Sequence, residues 1–406
     1  MKNILLLLIF CCLWSFLLAC NSEPSQLSEK NRGLSRALQD TTQQDTTAPS
    51  NSSRTIKIIG VGDLMIGTNY PSKSSLPAND GKDLLSHVSS YLRDADLTFG
   101  NLEGVLLEKG GNAKSCNNPR YCYTFRMPER YAKHLVHAGF DVLATANNHA
   151  NDFGKGGREN TAKVLEKAGL HFAGSLEKPY TTFEKDGIRY GFLAAAPNSG
   201  CFNMKEYNQA AQYVAMLDSI CDIVLVSFHA GAEGTNHRHT PCRDEVFLGF
   251  NRGDVCKFAK KCIDAGADVL FGHGPHVTRA VELYKDRFII YSMGNFCTYD
   301  KFSLNGAKGV GPIVKLHVNE EGVFLKGQII PTKQHGRGIP KYDSTHRVTK
   351  EIIELSKTDF PDSPLEILEN GTINRMLPLP QPPKSKPKPK QLIEIETKKA
   401  TKISVD

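Results

Sequence analysis

The chain has 406 residues, with 50 Lys and Arg against 43 Asp and Glu and a formal net charge of +7. Seven lysines between 384 and 402, set against three acids from 394 to 406, place +4 of that charge at the very end. The remainder is long enough to bury one large core and only mildly basic, without the basic stripe of a nucleic-acid footprint, so nucleic-acid partners are excluded.

Residues 1–19 read as a leader: Lys2 supplies a positive charge, and ILLLLIFCCLWSFLLA then runs apolar to Ala19. That run is short for a membrane span and suits a secretory h-region. It closes in Leu17-Leu18-Ala19-Cys20, which resembles the lipobox of bacterial lipoproteins. The resemblance implies that Cys20 is lipidated and anchors the chain in the cell envelope, in the periplasm or at the outer membrane, or at the cell surface. Residues 20–53 are polar and nearly free of large apolar side chains, a composition that predicts a flexible tether.

From residue 54 apolar runs alternate with helical patterns. TIKIIGV (55–61) leads to Asp63, DADLTFG (94–100) to Asn101 and Glu103, and FDVLATA (140–146) to Asn147-Asn148-His149. DIVLVSF (222–228) leads to His229, and ADVLFG (267–272) to His273 and His276. RENTAKVLEKAG (158–169) and GDVCKFAKKCIDAG (253–266) carry helical spacing between them. Asp186-Gly187 between two strand-like runs is a hairpin signal, and AVELYKDRFIIYSMG and GPIVKLHVNEEGVFLKGQII read as two more. The pattern predicts an α/β protein with mixed sheets over 54–345. A helical segment follows in 346–376, then a Pro/Lys-rich tail over 377–406 that favours extended, unpacked chain.

Beyond Cys11, Cys12 and Cys20 there are eight cysteines, an even number that permits disulfides in an exported protein. Cys116 and Cys122, flanking NNPRY, are the local candidate pair; no CxxC is present, which argues against a thiolate zinc site.

In open α/β sheets ligands bind outside the carboxyl ends of strands. Here five strands each deliver Asp, Glu, Asn or His at that end. One at a time these residues are ordinary turn formers and caps. Together they are an oxygen and imidazole donor set that suits Mn, Fe or Zn.

Six segments in order, GDLMIG (62–67), GNLEG (100–104), ANNHANDFGKGG (146–157), SFHAGAEG (227–234), GADVLFGHGPHVTRAVELY (266–284) and YSMGNF (291–296), resemble the bacterial capsule-synthesis CapA family, associated with poly-γ-glutamate biosynthesis. The resemblance implies a metallophosphatase-like, calcineurin-type fold: a four-layer αββα sandwich of mixed sheets. It implies Asp63, Glu103, Asn148, His229, His273 and His276 as metal ligands for one or two divalent ions, with Glu103 bridging. His149 would be the proton donor with Asp152 orienting it, and Asn101, Glu282 and Asn295 would support the site or position substrate. Met65 stands where phosphoesterases of this fold place the histidine of Asp-x-His, so one ion position lacks an imidazole. The implied function is a lipid-anchored envelope protein acting on an anionic polymer, alongside other capsule-synthesis proteins, with a leaning to metal-dependent hydrolysis. A secreted metal-dependent phosphoesterase acting on a phosphate ester, and a non-catalytic polymer-binding module, are the alternatives.

Overall fold

The computed structural model describes residues 54–115 and 122–380. The leader, Cys20, the tether to residue 53, Cys116 and the tail from 381 lie outside the described residues.

In chain order the elements begin with β1 Ile56–Met65, α1 Ser89–Leu92, β2 Leu97–Leu102, β3 Val105–Leu106, β4 Arg126–Met127, α2 Ala132–Ala138, β5 Val142–Ala144, α3 Gly154–Lys167 and β6 His171–Ala173. There follow β7 Tyr180–Lys185, β8 Ile188–Ala195, α4 Tyr207–Ile220, β9 Ile223–His229, β10 Glu245–Phe247, β11 Phe250–Gly253, α5 Val255–Asp264 and β12 Val269–His273. The last are β13 Val281–Tyr284, β14 Arg287–Ile290, β15 Asn295–Thr298, β16 Val310–Val318, β17 Phe324–His335, β18 Ile339–Tyr342, α6 Arg347–Asp359, β19 Leu365–Ile367 and β20 Thr372–Arg375.

Two mixed sheets carry the fold. A ten-stranded sheet runs β19-β20-β17-β16-β1-β2-β5-β6, with β15 beside β1 and β18 beside β17; a six-stranded sheet runs β13-β14-β12-β9-β8-β7. The β1, β2, β5 and β6 strands are mutually parallel, as are β8, β9, β12 and β14, while hairpin partners run antiparallel. All three expected hairpins form. In the β7–β8 turn, Asp186 and Gly187 take positive φ of 52° and 76°, as a two-residue type I′ turn requires.

Period-two alternation sorts each strand between two cores. Ile56, Ile58, Leu97 and Phe99 of one sheet meet Tyr190, Phe192, Leu225 and Phe271 of the other in a core between the sheets. Alternate residues Ile59, Val61 and Leu143 pack outward with Leu92, Leu135 and Leu165 from α1, α2 and α3. On the other side Val224, Val226 and Leu270 pack with Val214 and Leu217 of α4 and Phe258 and Cys262 of α5. The result is the αββα layering. The α5 helix starts on Asp254, whose carboxylate accepts a hydrogen bond from Lys257 N at 2.9 Å.

One expectation changes. Helix covers only Arg347–Asp359 of the segment 346–376; Leu365–Ile367 and Thr372–Arg375 instead pair as strands at the edge of the large sheet. Among the described cysteines a disulfide joins Cys242 to Cys256, while Cys201, Cys221, Cys262 and Cys297 are free and buried. Cys122 is disulfide-bonded, and Cys116 lies outside the described residues.

Candidate metal centre

The β1 strand does not stop before Asp63. It runs on to Met65, and its pairing slips at Asp63 against both β2 and β15. Such an irregularity re-aims a side chain, here the carboxylate that the other strand ends surround. The neighbouring Gly62 has no room for a side chain: a Cβ there would fall 1.9 Å from the Gly294 carbonyl oxygen. That same carbonyl accepts the Asp63 N–H at 3.0 Å.

Around Asp63 the donors converge. One carboxylate oxygen accepts from Asn101 Nδ2 at 2.8 Å and from His273 Nδ1 at 3.1 Å. The other lies 3.1 Å from His276 Nδ1, which is also 3.0 Å from Asn295 Oδ1. His276 Nε2 is 3.6 Å from Glu103 Oε1, and His149 Nε2 is 3.9 Å from the same oxygen. His229 pairs with His273 across β9 and β12, and its Nδ1 lies 3.4 Å from Asn101 Nδ2.

Placement explains the convergence. Phe99 on β2 and Phe271 on β12 stack between the sheets at 5.0 Å, two residues before Asn101 and His273. Period two then turns Asn101 and His273 toward the same gap. His149 sits in the loop after β5. Its Nδ1 is 2.8 Å from Asp152 Oδ2, which also accepts the Phe125 N–H at 2.6 Å, while Asp152 Oδ1 pairs with Lys114 Nζ at 2.5 Å. Asp152 thus orients His149, and no side-chain hydrogen bond caps α3.

The residues fit a divalent cation. Both Glu103 carboxylate oxygens, Asn148 Oδ1, His229 Nε2 and His273 Nε2 are buried without a hydrogen-bond partner. Buried orphans of this kind are rare and costly in a folded protein, and here all are atoms that bind metals. Ligand atoms of Asp63, Glu103 and His276 lie within 4.8 Å of one another. Adjacent ligands on an ion with bonds near 2.1 Å stand about 3 Å apart, close to the separations seen.

Electrostatics agree. Burial opposes ionisation of Asp63, yet hydrogen bonds from His273 and His276 hold its carboxyl well below the usual range. Burial and the Asp63 charge push Glu103 well above its ordinary value. Burial would lower His276, but the Glu103 and Asp63 carboxylates raise it to about 10. Burial lowers His149, with Asp152 opposing it, and lowers His229 well below its ordinary value. A carboxylate cluster that crowds charge in this way is what a cation relieves.

Glu282 is not part of this group. Its neighbours Val281 and Leu283 point into the core between the sheets, so Glu282 faces the helix layer, where it accepts from Tyr291 OH at 2.6 Å and pairs with Lys260 at 2.9 Å. Met65 is fully buried and contributes to none of the contacts above. Four further side chains border the site. Asn147 ties the loop down by donating to Leu102 O at 2.8 Å and Asn101 Oδ1 at 3.2 Å. Phe125 packs on the His149 ring at 4.1 Å and Phe302 on the His276 ring at 5.3 Å. Glu233, paired with Arg252 at 3.0 Å, lines the cavity beside them; it lies within SFHAGAEG, so the motif pointed to its place though not to its role.

Residues 57–300 match the family described as bacterial capsule synthesis protein PGA_cap, more than half of the chain. The chain belongs to this family. It is 27% identical over 336 residues to the capsule biosynthesis protein CapA of Bacillus anthracis, covering 76% of this chain and 77% of that protein. It is 28% identical over 253 residues to the PGA biosynthesis protein CapA of Bacillus subtilis, covering 58% of this chain and 61% of that one. Among solved structures, a purple acid phosphatase from yellow lupin is 10% identical with a TM-score of 0.36, covering 77% of this chain and 57% of that one.

Proposed function

We propose that this PGA_cap chain acts at the cell envelope in the synthesis or processing of an anionic polymer of the poly-γ-glutamate type, through a metal-dependent, hydrolase-like centre. The family match supports the capsule role. The observation that carries the chemistry is the set of buried, unpartnered Glu103, Asn148, His229 and His273 ligand atoms around Asp63.

Asp63, Glu103, Asn148, His229, His273 and His276 would hold one or two divalent ions, which would polarise an acyl or phosphoryl oxygen and lower the pKa of bound water. The other side chains have separate duties. His149, hydrogen-bonded through Nδ1 to Asp152, would act in its protonated form, giving its Nε2 proton to a leaving group. Asn101 fixes Asp63, and Asn295 fixes His276. Anchoring through Cys20 would keep this centre at the membrane, among other capsule-synthesis proteins.

The test is hydrolysis of oligo-γ-glutamate and of a chromogenic phosphodiester, with and without Mn, Fe or Zn. Metal-dependent cleavage of the peptide supports the reading; cleavage of the diester alone favours a secreted phosphoesterase. No cleavage of either, together with an unchanged capsule in cells carrying Asp63→Ala, would reduce the chain to a polymer-binding module.

A further inference from the structure

A cavity of about 440 Å³ opens beside His149 and His276. Its floor is polar, but its wall is built from Phe125, Phe247, Leu248, Phe250 and Phe302. Leu248 and Phe250, at the tip of the β10–β11 hairpin, are 71% and 73% exposed. Single exposed apolar side chains are ordinary; a contiguous set at the mouth of a site marks recognition.

The tip's own sequence points the same way. Leu248 and Gly249 both take positive φ, 49° and 82°. A turn of that shape favours Asn, Asp or Gly at its first central position, and this chain puts Leu there. The local backbone gains nothing from that leucine, so its use lies in what the side chain touches.

The hairpin is also held in place. The buried Arg279 guanidinium donates to both Glu245 oxygens at 2.7 and 2.8 Å and to His237 O at 2.9 Å. The Cys242–Cys256 disulfide ties its base to the start of α5. Lys301 and Lys308 stand in the same rim.

We infer that this rim is a subsite for the alkyl part of an amphiphilic phosphate monoester, whose anionic head reaches the floor while its chain lies against Leu248 and Phe250. Lys301 and Lys308 draw the head inward. The inference rests on the proposed metal floor for the head and adds the apolar arm. A hydrated polyanion alone would leave the apolar wall without a partner.

Calorimetric titration of the purified full chain, with and without Mn²⁺, tests this with octyl phosphate below its micelle concentration and inorganic phosphate. Octyl phosphate should bind at least tenfold more tightly than inorganic phosphate. Leu248→Ser/Phe250→Ser should lose that advantage and keep its affinity for inorganic phosphate. Leu248→Asn, which suits the turn better, should weaken octyl phosphate in the same direction without loss of folding. Equal affinities in the native chain, or an advantage that survives both variants, overturn the subsite. A tenfold advantage that ignores manganese keeps the subsite and overturns the metal floor. Manganese-dependent phosphate binding with no octyl advantage does the reverse.

Discussion

The Phe99 and Phe271 rings stack 5.0 Å apart and nearly parallel, joining the two sheets one turn of the pleat below the site. Because Asn101 and His273 follow them by two residues on β2 and β12, this one contact sets the distance between donors from different sheets. Phe271→Ala should destabilise the fold by about 3–5 kcal/mol through lost burial and a cavity. It should also lower metal affinity in the protein that still folds. Urea denaturation and metal titration on one preparation check both.

Gly62→Ala should destabilise the fold despite adding a single methyl group. The added carbon would meet the Gly294 carbonyl, which receives the Asp63 N–H. Backbone must move to accept it, so we expect a loss of about 1–3 kcal/mol of stability and a disturbed Asp63. Thermal melting and metal content give the two readouts.

Asp152→Asn separates orientation from metal binding. The imidazole of His149 loses its charged partner at 2.8 Å, while Asp63, Glu103 and His229 keep their places. Metal content should be unchanged. Turnover of any substrate found should fall by roughly 10²–10⁴-fold, the usual worth of a general acid.

Removing one member of the buried Arg279–Glu245 pair should cost about 3–5 kcal/mol, because the other charge is left without its counterion. Arg279→Met therefore should be much worse than a change to an exposed pair such as Lys155–Glu159. Denaturant midpoints of the two variants, at matched slopes, decide it.

Asp94 gives a pH dependence with a definite sign. Hydrogen bonds from Lys315 and then Lys57 hold its carboxyl down at about 2. A depressed carboxyl contributes stability that is present above its unfolded value near 3.9 and lost as pH falls toward 2. Asp94 is half-exposed, so Asp94→Asn should cost about 0.5 kcal/mol or less at pH 7. That difference from the native chain should vanish between about pH 4 and 2.

The mixed α/β character and the donors at the strand ends were legible from the pattern of apolar runs, while the four-layer arrangement was what the family resemblance implied. Alternating apolar runs fixed the strands, and the residues after each run named the donors. Asp63 was readable as a donor though not as a strand residue, since only pairing with β2 and β15 reveals the slip that re-aims it. Glu282 misled because it sits in a matching segment, and its facing depends on register rather than on residue type. The strands at 365–375 were read as helix because short edge strands take their definition from the neighbouring sheet, here β17. The β10–β11 hairpin was missed for a related reason: its turn carries Leu248-Gly249 in place of the usual Asn-Gly.

The central claim is the metal centre, and metal content tests it most directly. The purified chain, refed with manganese, iron and zinc and then dialysed, should retain one or two transition ions by elemental mass spectrometry. Asp63→Ala and His229→Ala should both lose them while melting cooperatively. A native chain that holds no stoichiometric metal after refeeding, or variants that retain it in full, would contradict the account.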